Sequence, residues 1–550
     1  ADLYLKSRDQ AVAMLAMASL ATGIILGSLV TGDSMDHTLR RQALDRVGRA
    51  DVALIGGDRL FRPELAVDLE RAAQADGGRE VHAAGVFTTV ASASSQGGAQ
   101  RINQVQVLGV DEAISALTPS GEFPVELLQA DDSLTPQVVV NDILAQRLNI
   151  TLGDEVILRP RGPSELPEDA PLAASERETA PVRAKVAAVI GAEQYGRFSL
   201  YQTQEPPALV FMTRKALLEV LEEEPAANLL LLGAASGEPV SPEEAESWLS
   251  TSWKLADLSL RLDRLDQTET WEISSRRVFL ESRILDNIQQ SIPESFPVLS
   301  YFVNGIEHGD GTTPFSFIAA VDPRSVPFLP DDMEDGTFVP NRWLADDLGL
   351  SEGDPLQLRF FVSETGGGLR ESGAEFVAGP MLPMEGASAD SEWTPEFPGL
   401  STAEDCDDWE TSLPIDVNEI REKDEEYWDE WRSTPKGFIT FTRGRELWSN
   451  RWGVATAIRF PGDRSKEEIT EEVRKVLHPV DGGLSFSPFR ETALRASRAS
   501  VDFGGLMVGF GFFVIVASVA LTGLLFALSV DQRAGQLGLL RAVGWQSRQI

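Results

Sequence analysis

The chain has one cysteine, Cys406, and four histidines, His37, His82, His308 and His478. A single thiol excludes an intrachain disulfide and a cysteine-bound zinc cluster. No two histidines stand at metal-ligand spacing. Cys406 lies among Asp405, Asp407 and Asp408, and such negative neighbours disfavour the reactive thiolate. Basic residues are also scarce: 48 Lys and Arg stand against 85 Asp and Glu, for a formal net charge of −37. That sign excludes a nucleic-acid binder. The acids are scattered through most of the soluble part, which reads as a solvated, self-repelling surface rather than a cation site. The chain lacks GxxxxGK[ST], GxSxG and HExxH, so no phosphate-cradling loop, nucleophile elbow or zinc-protease helix is predicted. No catalytic residue, metal site or cofactor is expected on this chain.

Long apolar runs are few. Only Gln10–Gly32 and Phe503–Val530 are uncharged over a length that could cross a bilayer, for which about 20 residues suffice. The mean hydropathy of −0.11 makes these a minority of an otherwise soluble chain. The first run is longer than a signal peptide's apolar core and lacks a small-residue cleavage pattern before Asp33, so an uncleaved anchor is expected. Each run carries glycines four apart, Gly23 with Gly27 and Gly505 with Gly509, candidates for close helix packing in lipid. Lys6, Arg8, Arg533, Arg541 and Arg548 lie on one side of the spans, and Arg40, Arg41, Arg495 and Arg498 on the other. Charge therefore does not decide the orientation. Two spans put both termini on one side and the long middle opposite.

At 550 residues the chain exceeds one core, and an internal repeat organises its middle. Asn141–Arg159 (NDILAQRLNITLGDEVILR) aligns without a gap on Asn341–Arg359 (NRWLADDLGLSEGDPLQLR). Asn141, Leu144, Ala145, Leu148, Gly153, Asp154, Leu158 and Arg159 recur as Asn341, Leu344, Ala345, Leu348, Gly353, Asp354, Leu358 and Arg359. Chance gives roughly one identity over that span. The unit reads as an asparagine-capped short helix, a Gly-Asp turn and a strand. Two echoes flank it: VQVLGVD (to Asp111) with FIAAVD (to Asp322), and ALVFMTR (to Arg214) with FITFTR (to Arg443). Ser241 to Leu258 reads as a linking helix with a serine cap, proline at N1 and acids in the first turn. The second half carries an acidic, tryptophan-rich insertion at about 384–435. Its carboxylates do not fit a calcium loop. It is expected to be a surface strap pinned by Trp409, Trp428 and Trp431.

After Val530 comes DQRAGQLGLLRAVGWQSRQI, with Leu537, Leu540 and Val543 expected on one face of a short amphipathic helix. Asp531, Arg533, Leu537, Gly538, Leu539, Leu540, Arg541, Ala542, Val543 and Gly544 resemble the segment after the second span of FtsX-like permeases, the group that includes the MacB and LolC transporters. Gln536 stands where that family usually has glutamate. The stretch after the first span (TGDSMDHTLRRQALDRVGRADVALIGGDRLFR), the approach to the second and the helix–Gly-Asp–strand repeat are similar to the same family. The resemblance implies two transmembrane helices flanking a large α+β extracytoplasmic domain with a duplicated MacB-like core. Its divisions are a flank at 1–9, spans at 10–32 and 503–530, halves at 33–236 and 237–499, and a truncated coupling segment at 531–550. It implies a permease of the plasma (inner) membrane, with further spans after Ile550. The partners implied are membrane lipid, a second permease copy or FtsX-like half, and a cytoplasmic ATPase that holds ATP and Mg and docks on the coupling segment. Lipoprotein, lipid, peptide or drug cargo is implied. A regulator of cell-wall hydrolases and a two-span sensor remain as alternatives. A sensor would continue its second span into a long signalling helix.

Overall fold

The computed structural model describes residues 2–96, 98, 100–129, 135–163, 181–201, 203, 205–364, 368–397, 400–401, 409, 413, 416–498 and 503–546. Side-chain surroundings at 2–11, 14, 17, 417, 498 and 503–508 lie outside it. Cys406 and Arg548 fall outside the description, as do the surroundings of Gly505. The chain forms two compact units, residues 48–489 and the two chain ends, 1–47 with 490–550.

The middle unit is built twice on one plan. In the first half, six strands close into a ring in the order Val81–Ser95, Arg101–Val110, Leu209–Thr213, Gln137–Asn141, Val182–Ile190, Glu155–Pro160, and back to Val81–Ser95. In the second half the ring runs Phe296–His308, Gly311–Val321, Gly437–Thr440, Thr337–Pro340, Leu369–Ala378, Pro355–Ser363, and back to Phe296–His308. Every pairing keeps its sense. The second-to-third and fourth-to-fifth contacts of each ring are parallel, and the rest are antiparallel. Closure removes the free edges that would invite mispairing. Val105, Val138, Leu144 and Val210 fill the first ring; Val303, Phe338, Leu358 and Ile439 fill the second.

Outside each ring lies an annex. In the first half, Val52–Ile55 pairs with Leu229–Ala234, which pairs with the start of Val81–Ser95, and helix Leu65–Ala75 covers them. In the second, Thr270–Ser275 pairs with Ala457–Pro461, which pairs with the start of Phe296–His308, under helix Ser282–Ser291. Helix Pro242–Ser252 follows the last strand of the first annex, as Lys466–Val476 follows that of the second. Ser241 and Ser465 cap the pair with the same capping box, through Glu244 and Glu468. The 242–252 helix is thus the last helix of the first half, not a linker between halves.

The next strands are exchanged. Leu260–Leu265, after the first-half helix, pairs with Thr270–Ser275 of the second half. Phe486–Ser487, after the second-half helix, pairs with Val52–Ile55 of the first. The exchange ties the annexes into one core, where Leu54, Leu65 and Leu232 meet Ile284, Ile458 and Phe460 around Trp248.

The repeated segment has the same local structure in both halves. Asn141 and Asn341 are fully buried and accept the N–H of Leu144 and Leu344 at 3.0 and 2.8 Å. Each also donates to a proline carbonyl two residues before the ring's third strand, Pro207 at 2.9 Å and Pro435 at 3.2 Å. Gly153 and Gly353 turn the chain at φ +90° and +95°. Asp154 and Asp354 brace the turns through the N–H of Thr151 and Ser351. The Asp111/Asp322 echo holds, since Val110 and Val321 pair with Thr213 and Thr440. That pairing corrects the other echo by two residues. Thr213, not Arg214, is the informative residue, and its counterpart is the helix cap Thr440 rather than Thr442.

Candidate functional site

The terminal unit consists of helix Asp2–Val47 and helix Phe503–Ala542, with the end of helix Phe489–Arg498. Ala18–Val47 and Gly509–Ala542 are long and apolar enough to cross a membrane by length and composition. The first helix does not end at the apolar run but continues through Asp33, Asp36, Arg40 and Arg41 to Val47.

Small side chains line the contact between these two helices. Ala21 and Gly32 are buried on the first helix, and Ser518 on the last. A Cβ on Gly511 would come within 2.7 Å of Ile24. Gly23, Gly27 and Gly509 meet nothing within 4 Å of an added Cβ. A close approach between these two helices lies at Gly511. Spacing within one helix cannot say which face meets the neighbour.

The coupling candidates form no separate helix. Asp531, Arg533, Leu537, Gly538, Leu539, Leu540, Arg541 and Ala542 continue the last helix without interruption. The stop comes at Val543–Gly544, where Gly544 takes φ +102°. Gly544 donates to the Arg541 carbonyl and Trp545 to the Leu540 carbonyl, both at 3.1 Å. This is the glycine cap that satisfies carbonyls left over at a helix end. Leu537 is half-buried, whereas Leu539 is 70% exposed, Leu540 37%, Val543 74% and Trp545 51%. Leu539 and Val543, four apart, share a helical face, and Trp545 follows just past the cap. Sequence reasoning missed Trp545 because it lies beyond the family-like pattern.

In the insertion, Trp428 is buried and Trp409 packs edge-on against it, with ring centroids 5.3 Å apart. Trp431 is only half-buried. The larger anchors are Trp393 and a charge cluster. Arg459, fully buried, lies 3.8 Å over the Trp393 ring and 2.8 Å from Glu272. Burial pushes the Glu272 carboxyl upward, against the pull of Arg459. Arg421 bridges Asp347 at 2.7 Å and Asp424 at 2.6 Å, and Lys436 reaches Asp424 at 3.5 Å. Burial alone would raise Asp424, but these cations hold it below the usual carboxylate range. Glu272 and Asp424 are thus each paired with a cation inside the protein. Among the described residues no group of three metal-binding side chains gathers.

Two solved structures are similar to part of the chain. The periplasmic region of MacB from Actinobacillus actinomycetemcomitans is 9% identical; the match covers 37% of this chain and 83% of that one, at a TM-score of 0.22. The extracellular domain of the noncanonic ABC-type transporter YknZ from Gram-positive bacteria is 10% identical, over 36% of this chain and 88% of that one, at a TM-score of 0.20. No protein-family model and no curated protein matches the chain.

Proposed function

We propose that the chain is part of the permease subunit of an ABC transporter. The two apolar helices cross the membrane, and the duplicated domain works on the extracytoplasmic side. The observation that carries this reading is the end of the last helix. An apolar helix long enough to span continues without a break into a segment that carries Arg533 and Arg541, is capped at Gly544, and has Leu539, Val543 and Trp545 on its surface. Outside lipid, such apolar exposure marks a surface that a partner covers. In this reading an ATPase docks at residues 531–544 and supplies the work.

The uninterrupted helix past Val530 also suits a two-span sensor. The cap at Gly544 ends it within about four turns of Val530, too short for a long signalling helix. The test uses the full-length permease reconstituted with its ATPase. Gly538→Trp or Arg541→Ala should at least halve transport-coupled ATP hydrolysis at normal expression. Full coupling in both variants sinks the docking role.

A further inference from the structure

The two rings differ in what covers one equivalent surface. Val90 pairs with Gln106 where Phe302 pairs with Phe317. Gln104 and Phe315, the next bulged positions, both take positive φ, +61° and +36°. Asn228 and Thr456 accept the N–H of Thr88 and Ser300 at the same register. Position by position, then, Val90, Gln104 and Gln106 of the first ring are Phe302, Phe315 and Phe317 of the second.

In the second ring that floor is covered by the chain itself. Trp409 packs on Phe302 and Phe315, with centroids 5.7 and 6.3 Å apart, and Phe397 stacks on Phe317 at 5.4 Å. Only about 20 Å³ stays empty there. Both covering residues belong to the segment between the strands Leu369–Ala378 and Gly437–Thr440. In the first ring the equivalent segment, residues 191–208, is far shorter. The floor there is open as a cleft of about 790 Å³, rimmed by Tyr201, which is 71% exposed.

We propose that this open cleft docks an extended segment of a partner protein, a neutral peptide carrying one large aromatic side chain. The second ring supplies the precedent, since its equivalent floor holds polypeptide with Trp409 and Phe397 pressed onto it. The first-ring floor fits a peptide better than an acyl chain. Gln104 and Gln106 are amides that can donate to and accept from peptide groups, and a hydrocarbon would strand them. Val90 and Tyr201 offer the apolar contact an aromatic residue needs. The rim carries one acid, Asp58, and one base, Arg161, so neither sign of charge is selected. This inference rests on the duplication and not on ATPase coupling, so either can fail alone.

The test uses the full chain in lipid nanodiscs and a phage-displayed random dodecapeptide library. Enriched clones should be neutral with a Trp or Phe. Synthetic copies should lose at least tenfold in affinity to Val90→Arg and to Tyr201→Ser, two exposed changes whose folding is checked by melting. The exposed control Leu152→Arg should leave affinity unchanged. No enrichment, or equal binding to the Val90→Arg protein, overturns the proposal. So does displacement of the peptide by spin-labelled stearate binding more tightly, which would assign the cleft to lipid.

Discussion

The two rings share their strand order, pairing sense and buried asparagine caps, yet one is bare where the other is covered. The first keeps Thr88, Val90, Gln104 and Gln106 over its outer floor and a short crossing segment at 191–208. The second has Phe302, Phe315 and Phe317 in place of Val90, Gln104 and Gln106 and crosses with 379–436. Duplication preserved what the backbone needs and released what lies on top. A frame built on caps, turns and ring closure tolerates a long insertion because an added loop costs entropy only slowly with length. The covering segment then needs its own attachments, and these are Trp393 on Arg459 and the Arg421–Asp424–Lys436 cluster.

The comparison breaks most sharply at those attachments. Asp424→Ala strips the carboxylate from between Arg421 and the buried Lys436 and breaks both ion pairs. A loss of about 3–5 kcal/mol is expected, the range for breaking a buried pair. It should be confined to the second half. Hydrogen exchange should rise in Gly437–Thr440 and stay unchanged in the equivalent Leu209–Thr213; equal loosening of both would mean the cluster does not serve the insertion alone. The acid response has a definite sign. Asp424 is held below its ordinary range in the fold, so it stabilises above the unfolded carboxylate pKa, and that stability drains away as pH falls through the folded value. The first half has Asp142, also lowered, chiefly by its hydrogen bond from Arg197, but far more exposed. Acidification should therefore open the second half to proteolysis before the first.

The shared frame is tested at its caps. Asn141→Ala and Asn341→Ala each remove a helix cap and leave buried N–H and carbonyl groups without partners, at about 2–4 kcal/mol. The two losses should agree within about 0.5 kcal/mol in urea denaturation, the tolerance for independent sites. A large difference would show that the second donor contact, from Asn341 to the Tyr427 hydroxyl and from Asn141 to the Gly196 carbonyl, both at 3.0 Å, is not worth the same in the two halves.

These caps were legible because they are local. Asparagine, glycine and aspartate at fixed offsets each satisfy a nearby backbone group, so the same letters recur. Ring closure was not legible. It requires Val81–Ser95 to pair with Arg101–Val110, Glu155–Pro160 and Leu229–Ala234 along different parts of its length. No short pattern encodes that. The strand exchange was hidden for the same reason, and it moved helix Pro242–Ser252 from a supposed linker into the first half. At the coupling segment, composition gave the residues but not the break. Nothing between Val530 and Ala542 stops a helix, and only Gly544, with its left-handed φ, does.

The smallest effect tests the turn glycines. Gly153 and Gly353 sit at φ +90° and +95°, and an added Cβ would meet nothing within 4 Å in either place. Space is therefore not the reason for glycine; the backbone conformation is. An L side chain in left-handed backbone costs about 1–2 kcal/mol through contact with its own carbonyl, and Gly→Ala also removes some freedom from the unfolded chain, which offsets about 0.4–1 kcal/mol. The net loss should be about 1 kcal/mol at each site, equal in both halves, because the turns carry the same aspartate brace and neither touches the insertion. Thermal melting of Gly153→Ala and Gly353→Ala measures it. If Gly353→Ala cost several times more than Gly153→Ala, the second turn would be strained by the covering segment, and the rings would differ in frame as well as in cover.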